Sequence, residues 1–378
     1  MNFKKITKYL DSLPEKYGLP SVDVIIMKDH EQVYRHMTGT TDTEHKKPVD
    51  EKAQYLVFSM TKIQTMVALM QLVEQGKISL QDEVAKYLPA YEKIFVEEKF
   101  EETIRIVPAK RPMQIWHLVS MQSGLDYNLD RPGISQARRT YGPEATTRQI
   151  VDGFPLTPLL FHPGDHYLYS LSHDVIGAVI EVVSGMKFSE YLAEHIWKPL
   201  GMNRTRFFME EGQEKDLAQQ FTWENEEIVP MENDCNYRLS DAYESGGAGL
   251  VSCTEDYAIL ADALACGGVA KNGYRVLKEE SIETIRTDLL TEQGHKEIEQ
   301  NMGRYGYGYG VGMQVLMHPE VIGSPAKAGV FGWDGAAGSC TIMSPETKTS
   351  LVFSMHVRSF GPAYGEIHPR LRDLLFEE

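Results

Sequence analysis

Long apolar runs are missing from this chain of 378 residues, as are most of the signatures that would name a chemistry at sight. No stretch approaches the roughly eighteen consecutive apolar residues of a membrane-crossing helix. The opening segment, Met1-Asn2-Phe3-Lys4-Lys5-Ile6-Thr7-Lys8, is charged and amphipathic and has no apolar core of the signal-peptide kind. Cysteine is scarce. The four present, Cys235, Cys253, Cys266 and Cys340, form no C-x-x-C pair, which indicates reduced thiols rather than a disulfide frame or a zinc site. A cytoplasmic protein without a membrane partner is the resulting expectation. Positive charge is also short, with 38 Lys and Arg against 54 Asp and Glu and a net charge of −16. Phosphate backbones need a basic face, so nucleic acid is excluded as a partner.

Catalytic motifs are absent too. There is no G-x-S-x-G elbow, no H-E-x-x-H helix and no G-x-G-x-x-G loop. Gly306, Gly308, Gly310 and Gly312 alternate with period two, which fits a strand with one face cleared for close approach rather than a phosphate loop. His117, His162, His166 and His173 show no metal-ligand spacing, and no cofactor or metal is expected. His117 sits on an amphipathic stretch, where a structural role is the commoner one.

What remains is Phe58-Ser59-Met60-Thr61-Lys62, followed by apolar residues at Ile63, Met66, Val67, Leu69, Met70, Leu72 and Val73. The spacing predicts a mostly buried helix ending at Gly76. Positions i and i+3 share a helix face, so Ser59 and Lys62 point the same way. A serine is a weak nucleophile until a base takes its proton. A lysine serves as that base when burial disfavours its charged form. Ser-x-x-Lys occurs three times here, and Ser184 and Ser324 are each followed by a turn residue, Gly185 and Pro325. Only Ser59 lies between an apolar run and a long apolar helix. The alternative for this pair is an N-cap serine with a solvated lysine.

The chain reads as a helix over 3–17, strands at Val22–Met27 and Gln32–His36, then the Ser59 helix. Helices follow near 111–121, 146–152, 172–184, 188–197, 254–266 and 278–287. Strand signals return at Tyr307–Val315, Ala337–Met343 and Ser350–Val357, before a final helix over 366–376. Glu210–Glu214 and Glu292–Gln300 read as solvated polar loops. Strands, helices, then strands imply an α+β fold: a central antiparallel sheet built from both chain ends, flanked by helices, with an inserted mostly helical domain. The expected boundaries are 1–78 with 303–378 for the sheet and 79–302 for the insertion.

Three further stretches complete a pattern. Pro163-Gly164-Asp165-His166-Tyr167-Leu168-Tyr169-Ser170 precedes a helix opening with Ser172-His173-Asp174. Ser123-Gly124-Leu125 follows a helix containing His117-Leu118. Phe331-Gly332-Trp333-Asp334-Gly335-Ala336-Ala337-Gly338 comes last. In this order, with Ser59-x-x-Lys62 and with Gly246-Gly247-Ala248-Gly249-Leu250 before Thr254-Glu255-Asp256, the chain resembles the serine β-lactamase-like superfamily over roughly residues 20–357. The branch it looks closest to joins class C β-lactamases with family VIII carboxylesterases and penicillin-binding-protein-like serine hydrolases.

The resemblance implies Ser59 as nucleophile, Lys62 as its base and Tyr169 as a second proton carrier, its phenol lowered in pKa beside the Lys62 ammonium. It also implies backbone N–H groups of Ser59 and Ala336 as the oxyanion donors, with Trp333, Gly335, Leu171, Ser123 and His173 around the substrate. Two positions depart from the family pattern. Leu171 stands where the tyrosine motif usually carries asparagine, and Trp333 where the last motif commonly begins with lysine or histidine. Leucine cannot contact an amide, and an indole offers one N–H and a flat apolar face instead of a cation; Trp333 has the alternative of being a packing residue on its strand. These departures favour a small neutral or apolar ester over an anionic amide. The expected function is a serine hydrolase with an acyl-Ser59 intermediate, a carboxylesterase or acyl transferase on a small-molecule ester or amide. The alternatives are a β-lactamase or D-amino-acid peptidase of the same mould, and a catalytically silent ligand-binding homologue.

Overall fold

Alternation along Ser21–Lys28 decides how the two ends of the chain meet. Val22, Val24 and Ile26 pack with Leu10 and Leu13 of the helix Phe3–Tyr17 and with Leu371 and Leu374 of the helix His368–Phe376. Ile25 points the other way, into a core shared with Met66, Trp333, Met343 and Val352. Successive strand residues face opposite sides, so a strand buried on both faces joins two layers of helices through one sheet. A computed structural model of the chain describes residues 1–377. Its main sheet has seven strands, in the order Glu31–Gly39, Ser21–Lys28, Thr349–Ser354, Cys340–Ser344, Phe331–Asp334, Gln314–Leu316 and Tyr307–Tyr309. Every pairing in it is antiparallel, and Ile25 lies opposite Val352. The central antiparallel sheet from both chain ends is therefore present, flanked by helices as expected.

Several elements match their sequence readings closely: helices Phe3–Tyr17, Ser172–Ser184 and Thr254–Ala265, and the first two strands. The turn between those strands takes positive φ at both Asp29 (48°) and His30 (71°), the geometry of a tight hairpin. Other readings need correction. The expected strand Tyr307–Val315 is two short strands paired with each other, Tyr307–Tyr309 and Gln314–Leu316. Between them a Cβ on Gly310 would lie 2.0 Å from the Ile285 carbonyl oxygen, and Gly312 has φ 73°. The glycines serve close approach, but at a turn.

Glu292–Gln300, read as a polar loop, is a helix, Glu292–Met302. Thr291 caps its start and Gly303 (φ 65°) ends it, while only Gly294 and Ile298 are buried. A helix Pro132–Tyr141 was not expected, and the mostly helical middle of the chain also carries two hairpins, Phe95–Phe100 with Thr103–Pro108 and Phe221–Glu224 with Glu227–Pro230. Among the described residues no helix is long and apolar enough to cross a membrane.

The helix Thr61–Glu74 lies at the centre, with every residue from Thr61 to Leu72 buried. A helix enclosed on all sides must satisfy its polar side chains internally. The Gln71 amide nitrogen donates to the carbonyls of His195 and Val276, and the Thr65 hydroxyl to that of Gly246. Lys62 is another such residue.

Candidate active site

The chain enters that helix through a strained turn. Leu56 pairs with Val251, and then Phe58 takes φ 44° before the 3-10 turn Phe58–Met60. A bulky side chain in the left-handed region costs on the order of 1–3 kcal/mol and persists only where its surroundings over-determine it. Here Phe58 is fully buried with Ala337, Cys235 and Val251. The turn leaves the N–H of Ser59 without a carbonyl partner, and among the described residues Ala336 N–H is in the same state. Gly335 explains how Ala336 comes alongside: a Cβ on it would sit 2.3 Å from the Val57 carbonyl oxygen, so the end of the strand Phe331–Asp334 passes the turn with no room for a side chain.

Lys62 is fully buried, and its three N–H bonds find three acceptors: Ser59 Oγ at 3.3 Å, the Tyr127 hydroxyl at 2.8 Å and the Gly247 carbonyl oxygen at 2.7 Å. Burial pushes its amine down to about 7, against the opposing pull of the buried Asp174 carboxylate and, more weakly, Asp334. Asp174 accepts from the Tyr243 hydroxyl at 2.9 Å, and its own burial holds its carboxyl above the usual range, with Lys62 pulling back. The solvated-lysine alternative does not describe this side chain. An amine that titrates near neutrality, aimed at the hydroxyl of a serine residue that is 9% exposed, is able to take a proton from it.

Tyr169 closes the site from the other side. Its hydroxyl interacts with Ser59 and accepts the Trp333 indole N–H at 3.0 Å. Lys62 Nζ lies 4.6 Å from the centre of the Tyr169 ring, over its face. The expected lowering of the phenol is not found. Burial drives Tyr169 well above its ordinary value, and the bonds from Ser59 and Trp333 only offset part of that rise. The ammonium that was to lower it lies over the ring, not beside the oxygen. Ring contacts continue from Trp333 through Tyr169 (5.5 Å) and Tyr127 (5.3 Å) to Tyr237 (5.5 Å) and Phe58 (6.1 Å), so the serine lies in an aromatic wall.

Trp333, at the end of this wall, is 1% exposed and packs edge-on against Tyr309. Ser123 is buried and joins Ser172 and then Ser170 through 2.8 Å hydroxyl bonds, which ties the segment before Tyr127 to the one around Tyr169. Leu171 is buried at the start of the helix Ser172–Ser184 and, with Leu125, Ile134 and Leu159, lines a small apolar slot. His173 is fully buried with neither ring nitrogen partnered, and burial holds it well below its ordinary value. Ser184 is the last residue of the helix Ser172–Ser184, before the left-handed Gly185, and Ser324 follows the 3-10 turn Pro319–Ile322, so neither opens a helix as Ser59 does. A cavity of about 270 Å³ beside Arg304, Asp334, Tyr364 and His368 is not lined by Ser59, Lys62 or Tyr169.

Three contributors were missed from sequence. Tyr127 lies four residues beyond Ser123, the one cue that was available. Asp174 stands within the quoted Ser172-His173-Asp174. Gly247 acts through its carbonyl, and a Cβ on it would fall 2.7 Å from Asp174 Oδ2 and 3.1 Å from the Tyr127 hydroxyl.

The chain belongs to the beta-lactamase family, whose model matches residues 6–375. It is similar to esterase EstB of Burkholderia gladioli, with 27% identity over 380 residues, covering 93% of this chain and 89% of that one. It is also similar to a putative D-alanyl-D-alanine carboxypeptidase of Escherichia coli (strain K12), with 26% identity, covering 89% and 78%. Among solved structures, EstCE1, a hydrolase with promiscuous acyltransferase activity, aligns with a TM-score of 0.80 over 99% of this chain and 98% of its own, at 24% identity.

Proposed function

We propose that this member of the beta-lactamase family is a serine hydrolase that forms an acyl-enzyme on Ser59 and acts as a carboxylesterase or acyl transferase on a small ester. The observation that carries the reading is the buried Lys62 amine 3.3 Å from Ser59 Oγ, with its other two N–H bonds anchored on Tyr127 and Gly247. In the neutral form, Lys62 takes the hydroxyl proton while Oγ attacks the ester carbonyl. The oxyanion is received by the unpaired N–H groups of Ser59 and Ala336, each worth on the order of 3 kcal/mol to the transition state. The tetrahedral intermediate then collapses and the leaving oxygen takes a proton. Tyr169, held protonated by its burial, is the donor, and the proton that Lys62 took from Ser59 then restores it. Water, or an alcohol in the transfer reaction, attacks the acyl-enzyme by the reverse path.

The aromatic wall, together with Leu171 and Trp333 at positions where the family commonly has an amide and a cation, supports an ester over a lactam or a D-amino-acid peptide. Fluorophosphonate labelling tests the chemistry: intact mass gains one adduct in the wild type and none in Ser59→Ala. An equally labelled Ser59→Ala protein would refute it. For substrate class, kcat/KM for a short-chain p-nitrophenyl ester exceeds that for nitrocefin. The reverse order favours the second reading, a β-lactamase or peptidase, which the similarity to a putative carboxypeptidase also supports.

A further inference from the structure

The aromatic row that starts at Trp333 ends at a cation. Arg358 closes the short strand Val357–Arg358, which pairs with Phe221 and Thr222, and Val357 N–H donates to the Ala337 carbonyl at 3.0 Å. The arginine is thereby tethered beside the segment that carries the Ala336 donor. Its guanidinium carbon lies 5.1 Å from the centre of the Phe58 ring and 5.9 Å from that of Tyr237, and Phe58 directly precedes the nucleophile.

The two rings stand at 81° to each other and attract the guanidinium as a cation, and neither supplies an acceptor for its five N–H donors. Among the described residues no carboxylate lies within 4.0 Å of it and no group accepts a hydrogen bond from it. That is unusual company for this chain. Acidic residues outnumber basic ones, and Arg35, Arg131, Arg204 and Arg304 each hold a carboxylate, while the part-buried Arg206 bonds Gln213 and the Asn203 carbonyl. An arginine that is half buried, oriented by aromatic faces and unpaired at the rim of a nucleophile's site is built to receive an anion from outside.

We propose that the ester taken by this site carries a carboxylate, and that Arg358 binds it at the end of the aromatic row remote from Trp333. The proposal rests on the serine hydrolase reading above and departs from the neutral ester expected from Trp333 and Leu171: the substrate is apolar where it meets the wall and singly anionic at one end. A single guanidinium within a chain of net charge −16 suits a monoanion, since a phosphate dianion would meet the repulsion of the acidic surroundings with one cation to offset it.

Two substrate pairs test this and locate the anion. Phenyl acetate and 4-acetoxybenzoate share an acyl group and differ in charge on the leaving side. p-Nitrophenyl butyrate and mono-p-nitrophenyl glutarate share a leaving group and differ on the acyl side. In at least one pair, Arg358→Met lowers the anionic-to-neutral ratio of kcat/KM by roughly tenfold, mainly through KM, as expected for loss of a charge-assisted contact. Arg358→Lys falls between, because an ammonium keeps the charge without the planar edge. The wild-type ratio for that pair also declines as salt is raised. Ratios that stay within about twofold of wild type in both pairs overturn the proposal, as does a wild-type ratio indifferent to salt should the variants fail to fold. Hydrolysis of the neutral esters by Ser59→Ala at the wild-type rate is a different failure, which overturns the hydrolase reading and this proposal with it.

Discussion

Trp333 donates its indole N–H to the hydroxyl oxygen of Tyr169 at 3.0 Å, and the two rings lie 5.5 Å apart. The tryptophan therefore acts on the tyrosine. Its N–H occupies one lone pair of the phenol oxygen, which leaves the phenol's own proton to turn toward Ser59 or a leaving group. A neutral phenol has one proton to place, and fixing its rotor decides where that proton goes.

Trp333→Phe separates this bond from packing. Phenylalanine keeps an aromatic face against Tyr309 and Tyr169 but supplies no donor. The expected result is a kcat for a p-nitrophenyl ester reduced by roughly tenfold, with about 1 kcal/mol or less of stability lost, the typical worth of one hydrogen bond. Steady-state kinetics and a thermal melt read the two effects apart. Wild-type kcat in a folded variant would leave Trp333 as a packing residue alone.

The pH dependence of acylation follows from Lys62. A base must be neutral to act, and burial brings this amine from 10.5 down to about 7. Below that pH Ser59 faces an ammonium whose three N–H bonds are all committed; above it a lone pair becomes available. The kcat/KM for a neutral ester, which reports the free enzyme, accordingly rises with pH and levels off above a midpoint near 7. A midpoint close to 10 would mean that the amine is solvated during catalysis, and a flat profile would remove it as the base.

How much of this was legible in the sequence depends on distance along the chain. Ser59 and Lys62 are three residues apart on one helix, so their convergence follows from helical geometry. Tyr127 is 65 positions from Lys62, in a loop whose path no local pattern describes. Gly247 was visible in a glycine-rich stretch, but every residue has a carbonyl, and the sequence does not show which one meets an amine. Trp333 was legible as a departure, not as the partner of Tyr169. The fold divides similarly. The helix Phe3–Tyr17 has a clear apolar stripe and was read to its ends, whereas Glu292–Met302 buries only Gly294 and Ile298 and shows no stripe. In the hairpin Phe95–Pro108 both Ile104 and Ile106 are exposed, so an inside–outside alternation had no meaning there.

Gly247→Ala probes the anchoring of Lys62 while leaving the serine, the lysine and both tyrosines in the sequence. Its methyl group would arrive 2.7 Å from Asp174 Oδ2, 3.1 Å from the Tyr127 hydroxyl and 3.5 Å from Lys62 Nζ. The first distance is shorter than any ordinary contact, and Asp174 is fully buried with Tyr243 holding its other oxygen, so the backbone at 247 must move instead. The carbonyl that anchors Lys62 moves with it. Small misplacements of catalytic groups cost on the order of 100-fold in rate. The expectation is a loss of that order in kcat/KM, with fluorophosphonate labelling slowed in parallel. An alanine variant of wild-type activity would show that the Gly247 carbonyl is not what positions the amine.

Lys62→Met tests the base itself. Methionine approximates the length and apolar packing of the lysine stem, carries no charge and so leaves no unpaired ammonium in the core. It does remove the donor to Gly247 and Tyr127, but an acceptor is the less costly of the two groups to leave unpaired, and the fold is expected to survive. The stability itself carries a signature. The folded state holds Lys62 at about 7 and the unfolded chain at 10.5, so between those values the unfolded state binds the extra proton. By linkage, wild-type stability gains from this group as pH rises through that window, and below it the cost of burying an ammonium is present in full. In Lys62→Met that contribution to the slope disappears, and at pH 6 the variant should be at least as stable as the wild type by chemical denaturation. Catalysis moves the opposite way. Loss of a general base costs on the order of 10² to 10⁴ in rate, and more where nucleophile and base act as a unit. The rate of acylation by a p-nitrophenyl ester should therefore collapse in a protein whose circular dichroism is unchanged. A folded Lys62→Met protein that acylates at the wild-type rate would reduce the Ser59–Lys62 pair to structural neighbours.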